Sequence, residues 1–374
     1  MVVSACYGLL SVLALLAWQI PRSQRATPTF ALEGVTILKP LCGAEPGLYE
    51  DLRSFCLQDY PTFQIVFGLR DQADPALGVA ERLKSEFRNL SIDIVVDSRL
   101  HGSNAKVSNL INMLPYAHHD MLAMVDSDAS VGPDYLETVI APLAHEGVGL
   151  VTCLYRSFPT PGIWSHLGAM YVNDWYMPAV LLAWLFGHRN YVSGQTICIR
   201  QETLRAFGGL STVANHLADD YRLGELVRSL GLRIVLSPYV VTAEYHEASL
   251  SAMIRHEVRW MRTLRVLRSR SFWGLFLTFS LPLAALGLMI AATERSGLLL
   301  AQGLFVVSVA CRLALHLLAQ HSRNVPLVFQ DLWLLPIRDL LIACAWFQTF
   351  FASRITWRGQ HYDVGPDGLM RRLS

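Results

Sequence analysis

Short apolar runs alternate with amphipathic stretches from Val35 to about Pro238, and this alternation restricts the fold more than any other feature of the sequence. Strands that alternate with helices at this spacing form a mostly parallel sheet with helices on both faces. We therefore predict an α/β domain of Rossmann-like type. In such domains, ligands bind beyond the carboxyl ends of the strands.

The apolar runs predict strands at 35–38, 64–69, 92–96, 122–125, 148–154 and 191–199. The stretches between them predict helices at 48–57, 74–87, 104–114, 133–144 and 217–230. Asp74 is expected to cap the second helix, with Pro75 at its first position.

Two carboxylates, Asp126 and Asp128, follow the fourth predicted strand with only Ser127 between them. Alternate residues of an extended chain point to the same side, so both can share one cation. Mg²⁺ and Mn²⁺ prefer oxygen ligands and commonly bridge to phosphates. The pair therefore predicts a metal site that binds a nucleotide diphosphate. The alternative is an ordinary capping loop before a helix.

The chain is too apolar for an ordinary soluble enzyme, because 52% of its 374 residues are hydrophobic, only 16% are charged and its mean hydropathy is +0.33. Residues 2–20 are apolar and are followed by Arg22 and Arg25, which predicts an uncleaved anchor with the next segment in the cytoplasm. The net charge of +1 indicates no general affinity for nucleic acid.

Three later stretches, 272–292, 298–319 and 332–351, are candidate membrane spans. The second is interrupted by Arg312 and His316, and the third by Arg338 and Asp339. A cytosolic tail requires an even number of spans here, so one of the last segments is an interfacial or re-entrant candidate. The shorter stretch 176–187 is either a buried helix or a helix lying in the membrane interface.

We predict four parts from these patterns. They are a transmembrane anchor at 1–21, a catalytic domain at 33–270, membrane helices at 271–353 and a cytosolic tail at 354–374. The expected location is the inner, cytoplasmic membrane, crossed more than once, with the catalytic domain facing the cytoplasm.

An ordered set of short motifs resembles the ceramide glucosyltransferase family. The motifs are Lys39-Pro-Leu-Cys-Gly43, Asp74, Val125-Asp-Ser-Asp128, Asp219-Asp-Tyr221, Arg259-Trp260, and Trp357-Arg-Gly359 with Tyr362. The length and layout are similar to the bacterial hopanoid-associated glycosyltransferases. The resemblance implies a GT-A fold, a UDP-sugar donor and a divalent cation, Mg²⁺ or Mn²⁺.

The resemblance also implies roles for four of the carboxylates. Asp74 would lie near the uridine of the donor, and Asp126 would serve the metal and the diphosphate. Asp128 completes an Asp-x-Asp pair that not every family member has. Asp220 would be the catalytic base.

Arg259 and Trp260 match the end of the family's Gln/Arg-x-x-Arg-Trp motif, but its first position here is His256. A histidine can still donate a hydrogen bond to phosphate, and it adds pH sensitivity. Lys106 is a candidate donor contact, the alternative being an exposed loop lysine.

The expected reaction is inverting transfer of a sugar, N-acetylglucosamine or glucose, from UDP to a hydroxyl of a membrane lipid, a hopanoid or a ceramide. The alternatives from other classes are a processive polysaccharide synthase and a non-catalytic membrane scaffold with a nucleotide-binding fold.

Overall fold

The computed structural model of the chain describes residues 1–19, 33–267, 270–294, 297–322, 329–351, 354–357, 360–365 and 367–373. Arg22, Arg25, Arg358 and Gly359, on which parts of the sequence predictions rest, lie outside the described residues.

Eight strands form the central sheet, in the order β3-β2-β1-β4-β7-β6-β8-β5. Their bounds are β1 Val35–Pro40, β2 Phe63–Leu69, β3 Ser91–Val96, β4 Met121–Met124, β5 Ala129–Ser130, β6 Val148–Pro159, β7 Ile197–Arg200 and β8 Arg233–Tyr245. The pairings β1–β2, β1–β4, β2–β3 and β6–β8 are parallel, whereas β7 runs antiparallel to both its neighbours and β5 to β8. The predicted mostly parallel α/β sheet is confirmed.

Helices cover both faces of this sheet. They are α2 Leu48–Cys56, α3 Ala76–Glu86, α4 Ala105–Met113, α5 Tyr135–Ile140, α8 Gln201–Ala206 and α9 Asp219–Ser229. Strand β1 is buried on both sides, because Ile37 packs into one apolar cluster and Leu38 into the other. Such double burial explains the nearly continuous apolar runs in the sequence.

The structure differs locally from the predicted elements. Helix α3 begins at Ala76, one residue after Pro75, and the Asp74 carboxylate accepts the Ala76 amide at 2.9 Å. The predicted strand 191–199 is a strand only from Ile197, because the preceding residues form a tight turn at the site described below.

The remaining helices include the candidate membrane spans. They are α1 Val2–Gln19, α6 Ile163–Tyr171, α7 Met177–Leu185, α10 Leu250–Leu267, α11 Ser280–Glu294, α12 Leu298–Ser322 and α13 Phe329–Gln348. Within the described ranges, α1 and α12 are long and apolar enough to cross a membrane. The predicted span 272–292 is broken into a 3₁₀ segment, Phe272–Thr278, and α11, with a bend of 73° between them. Pro282 lies in the first turn of α11, where proline is tolerated.

The predicted span 332–351 corresponds to α13, which does not join the candidate spans among the described helices. Its charged side chains are buried against protein. Arg338 forms a bidentate pair with Glu257 of α10, with N–O distances of 2.7 and 2.5 Å, and neither residue is exposed. A charge that interrupts the apolar pattern thus holds α13 to α10.

Residues 163–185 form one helical rod, in which a π-helical turn, Val172–Tyr176, joins α6 to α7. Helix α7 lies within the stretch 176–187, and its position relative to a membrane interface stays a prediction. Met177 and Leu181 are buried in the core, whereas Leu185 and Phe186 at the end are exposed.

The tail folds back as a three-stranded antiparallel sheet, β9 Arg354–Trp357, β10 Gln360–Val364 and β11 Met370–Arg372. Its buried side chains Ile355, Tyr362 and Met370 pack against Leu217, which lies just before α9.

Candidate active site

Gly194 is the point at which the separate parts of the site meet. Its carbonyl accepts the backbone amide of Asp126 at 3.2 Å, and its own amide donates to Oδ2 of Asp220 at 3.2 Å. A Cβ atom here would lie 2.7 Å from Nζ of Lys106 and 2.8 Å from Oδ2 of Asp126. A side chain would therefore force these charged groups apart, and glycine permits their approach.

Lys106, in the first turn of α4, forms an ion pair with Asp126. Asn104 caps this helix by accepting the amides of Lys106 and Val107, and its side-chain amide donates to Oδ1 of Asp219 at 3.2 Å. One asparagine thus fixes α4 relative to α9. Burial opposes the charge of Lys106, but the nearby carboxylates, Asp126 foremost, raise its pKa overall.

Asp220 lies in the first turn of α9, where Oδ1 accepts the amide of Tyr221 at 2.7 Å. Burial, reinforced by repulsion from Asp219, raises the pKa of Asp220 to about 7, although Lys106 acts in the opposite direction. Burial also raises the pKa of Asp219. A carboxylate with a pKa near neutrality is suited to accept a proton during a reaction.

Asp128 accepts a hydrogen bond from Nε2 of Gln195 at 3.1 Å. Its pKa is raised by burial and by repulsion from Asp126. In the described part of the chain, no group of three or more His, Cys, Asp or Glu side chains is arranged to hold a metal ion.

Lys39 lies beneath the loop that carries Asp126 and Asp128. The side chain is fully buried, its ammonium donates to the carbonyl of Asp126 at 2.6 Å, and it lies 3.8 Å from the centroid of the Phe55 ring. Burial lowers the pKa of Lys39 to about 7. Lys39 was assigned no role from the sequence, although a lysine within an apolar strand is almost never fully buried unless it has a partner.

Asp74 accepts the amide of Gly43 at 3.0 Å through each carboxylate oxygen. Gly43, whose φ of 77° favours glycine, lines a cavity together with Glu45 and Asp128. Asp74 thus supports the wall of a cavity that extends to the aspartate pair.

His256, Arg259 and Trp260 lie on α10. The Nδ1 atom of His256 is 2.7 Å from Oε1 of Glu247. The His256 ring stacks on the ring of Tyr245, and its centroid lies 4.3 Å from the centroid of the Trp260 ring. Burial lowers the pKa of His256, and Glu247 opposes this effect. Glu247 was missed in the sequence because nothing in the spacing marks it as the partner of a histidine.

The structure therefore brings Lys106, Asp126 and Asp220 together around Gly194. Asp128 borders a neighbouring cavity, and Asp74 holds Gly43 in the wall of that cavity. The α10 residues lie beside Tyr245 of β8. Two residues before Tyr245, Ala243 pairs with Ala129, which directly follows Asp128.

The tail also reaches this site, which the sequence did not predict. Leu217 donates its amide to the carbonyl of Gly368 at 3.0 Å, and Met370 donates to the carbonyl of Asn215 at 2.8 Å. These bonds hold the segment that leads directly into Asp219. The tail is thus a strap across the chain that positions Asp220.

A mixed sheet with carboxylates after its strands, a lysine paired with one of them and a carboxylate near neutrality on a following helix defines a glycosyltransferase with a GT-A fold. A mannosyltransferase from Pyrobaculum calidifontis, solved in complex with GDP-Man and Mn²⁺, has this fold. It matches with a TM-score of 0.53 and 17% identity over 93% of this chain and 96% of that one.

The family model of glycosyl transferase family 21 matches residues 1–370, and the chain belongs to that family. Ceramide glucosyltransferase 1 of Caenorhabditis elegans is 22% identical over 93% of this chain and 75% of its own length. Ceramide glucosyltransferase 3 of the same organism is 22% identical over 97% of this chain and 80% of its own length. The protein is thus a glycosyltransferase, and these relatives support transfer of a sugar to a lipid.

Proposed function

We propose that the protein transfers a sugar from UDP-N-acetylglucosamine or UDP-glucose, with inversion, to a hydroxyl of a membrane lipid, a hopanoid or a ceramide. The observation that carries the proposal is Asp220. It is a carboxylate with a pKa of about 7, held at Gly194 beside the Lys106–Asp126 pair.

In the proposed reaction, Asp220 accepts the proton of the acceptor hydroxyl while the hydroxyl oxygen attacks the anomeric carbon. The bond from that carbon to UDP breaks on the opposite side, so the configuration inverts. Lys106 and Arg259 stabilise the charge that develops on the departing diphosphate. Because Nδ1 of His256 bonds to Glu247, this histidine can donate a hydrogen bond to phosphate only through Nε2 of the protonated ring. Asp74 supports the wall near the uridine. Trp260 packs beside the His256 ring.

Asp126 and Asp128 would hold a divalent cation, Mg²⁺ or Mn²⁺. Their donor set fits, because Mg²⁺ is commonly bound by one or two carboxylates together with substrate phosphates. The mannosyltransferase of the same fold binds Mn²⁺ with GDP-Man. When bound, the cation would neutralise charge on the diphosphate.

The proposed arrangement in the cell follows the predicted division of the chain. Residues 1–21 anchor the protein, residues 33–270 carry the catalysis in the cytoplasm, and residues 271–353 lie in the inner membrane. The tail, 354–374, returns to the cytoplasm, which agrees with its packing beside Leu217.

Membranes that contain the protein, incubated with labelled UDP-sugars and then extracted, test the proposal. A labelled glycolipid that is absent with Asp220→Asn supports it. Labelled insoluble polymer would indicate a processive synthase instead, and the absence of any labelled product with a full panel of lipids would indicate a non-catalytic scaffold.

A further inference from the structure

A small cavity lies between α1, the π-helical turn, α12 and α13, apart from the site at Gly194. Its lining includes Ser11 of α1, Asp174 and Trp175 of the π-helical turn, Phe279 at the break before α11, Arg312 of α12 and Asp339 of α13. The free space holds about one or two water-sized groups. The cavity thus joins a charged floor to aromatic and aliphatic walls.

Arg312 forms the floor of the cavity and is only 4% exposed. Its Nε donates to Asp339 at 2.8 Å and its Nη1 to Asp174 at 3.1 Å. Its Nη2 has no hydrogen-bond partner in the described part of the chain. A buried donor without a partner costs about 1–3 kcal/mol, so this N–H is a binding group that an oxygen atom would satisfy.

Two backbone irregularities surround this arginine. The 73° bend places Phe279 between the 3₁₀ segment and α11, and the π-helical turn carries Asp174 and Trp175. Irregular backbone at membrane depth is tolerated where it lines a cavity or is buried in protein. π-Helical turns occur frequently at functional sites. Both features are what a binding site between membrane helices requires.

The charges define the kind of ligand. Two carboxylates and one guanidinium face the cavity, so a phosphate group would meet an excess of negative charge. A hydroxyl group fits both kinds of partner, because its oxygen accepts from Nη2 and its proton can be donated to a carboxylate. The apolar walls suit the carbon atom that carries such a hydroxyl, since the free space holds only about one or two water-sized groups.

We propose that this cavity binds a hydroxyl group of a neutral membrane lipid. The identification of that lipid with the acceptor class rests on the proposed function, whereas the binding site itself rests on Arg312 and its surroundings. The cavity is thus a lipid subsite embedded among the membrane helices, separate from the residues that bind the nucleotide.

The test uses the full chain in nanodiscs, without any UDP-sugar, and two photoactivatable probes. One is a diacylglycerol with a diazirine close to its headgroup, and the other is phosphatidic acid with the same acyl chains. After irradiation, the labelled peptides are identified by mass spectrometry. We expect diacylglycerol to label the peptides that contain Trp175 or Phe279 about tenfold more than phosphatidic acid does, because the phosphate meets the excess negative charge of Asp174 and Asp339.

Ser11→Leu fills the cavity without changing a charge, and Ser11→Ala is its matched control. Ser11→Leu should abolish labelling by diacylglycerol while leaving UDP binding unchanged, whereas Ser11→Ala should keep both. In the unaltered chain, excess unlabelled diacylglycerol should compete, which tests the proposal even if Ser11→Leu does not fold. Equal labelling by both probes, or labelling that neither Ser11→Leu nor the competitor reduces, would overturn the proposal. Glycolipid synthesis without labelling would overturn this subsite alone, and labelling without UDP binding would count against the proposed function alone.

Discussion

Replacement of Asp220 by asparagine removes the proposed base while keeping the size of the side chain. The amides of Gly194 and Tyr221 bond to different oxygens of Asp220, so the one oxygen of asparagine keeps one of these two bonds. A positioned base contributes about 10²–10⁴-fold, so turnover should fall by that factor. Because the diphosphate contacts remain, UDP should bind with unchanged affinity. Transfer of labelled sugar to extracted lipid measures turnover, and calorimetry measures UDP binding.

The pKa of Asp220 gives the same residue a second signature. Asp220 must be ionised to accept a proton, and its pKa is about 7. About 9% of the free molecules are therefore competent at pH 6 and about 91% at pH 8, so kcat/KM, which reports the ionisation of the free enzyme, should rise about tenfold between these values. An ordinary aspartate, with a pKa of about 3.9, would give a flat profile over this range.

Asp219→Asn is the matched control. Asp219 raises the pKa of Asp220, so its neutralisation should shift the acid limb of kcat/KM to lower pH and leave kcat/KM at pH 8 nearly unchanged. Substantial turnover in Asp220→Asn would refute the assignment of the base. If the acid limb stays at the same pH in Asp219→Asn, the assignment of that limb to the ionisation of Asp220 is refuted.

Three further substitutions test the supports of the site and of the membrane part. Lys39→Met removes the donor to the Asp126 carbonyl, so calorimetry should show UDP affinity about tenfold lower, and unchanged affinity would contradict the role of Lys39. Gly368 has a φ of 81°, so Gly368→Val should strain the tail by about 1–3 kcal/mol. This variant should lose more in kcat than in UDP affinity. A kcat equal to that of the unaltered protein would contradict the positioning of Asp220 by the tail. Arg338→Met leaves Glu257 buried and unpaired, so it should lower the free energy of unfolding by about 3–5 kcal/mol, measured by thermal unfolding. Adding Glu257→Leu should recover most of this stability. A double variant as unstable as the single one would exclude the ion pair as the cause.

The sheet was predictable because its strands are local apolar runs with helical stretches between them. Asp126 and Asp128 could also be placed at a ligand-binding edge, since this placement needs only the end of one strand. The antiparallel insertion of β7 could not be predicted, because strand order depends on contacts between segments far apart in the chain.

The supports of the site escaped the sequence analysis for the same reason. The approach of Lys106 and Asp126 across Gly194 joins three separate segments, and no spacing within one of them reveals it. Lys39 was visible only as a lysine in an apolar strand, and its partner is a backbone carbonyl that has no sequence signature.

Hydropathy makes the charged residues in the apolar C-terminal stretches interruptions of membrane spans, whereas in the structure they form buried ion pairs. Arg338 interrupts a predicted span, but its partner Glu257 lies on α10, directly after His256 and two residues before Arg259. Burying both charges is tolerable only when they remain together, because an unpaired buried charge is strongly destabilising. The helix with the proposed phosphate contacts is therefore anchored to α13 through its own buried charge. A shift of α13 would have to move α10 or break the pair, so the packing of α13 helps to set the position of these contacts.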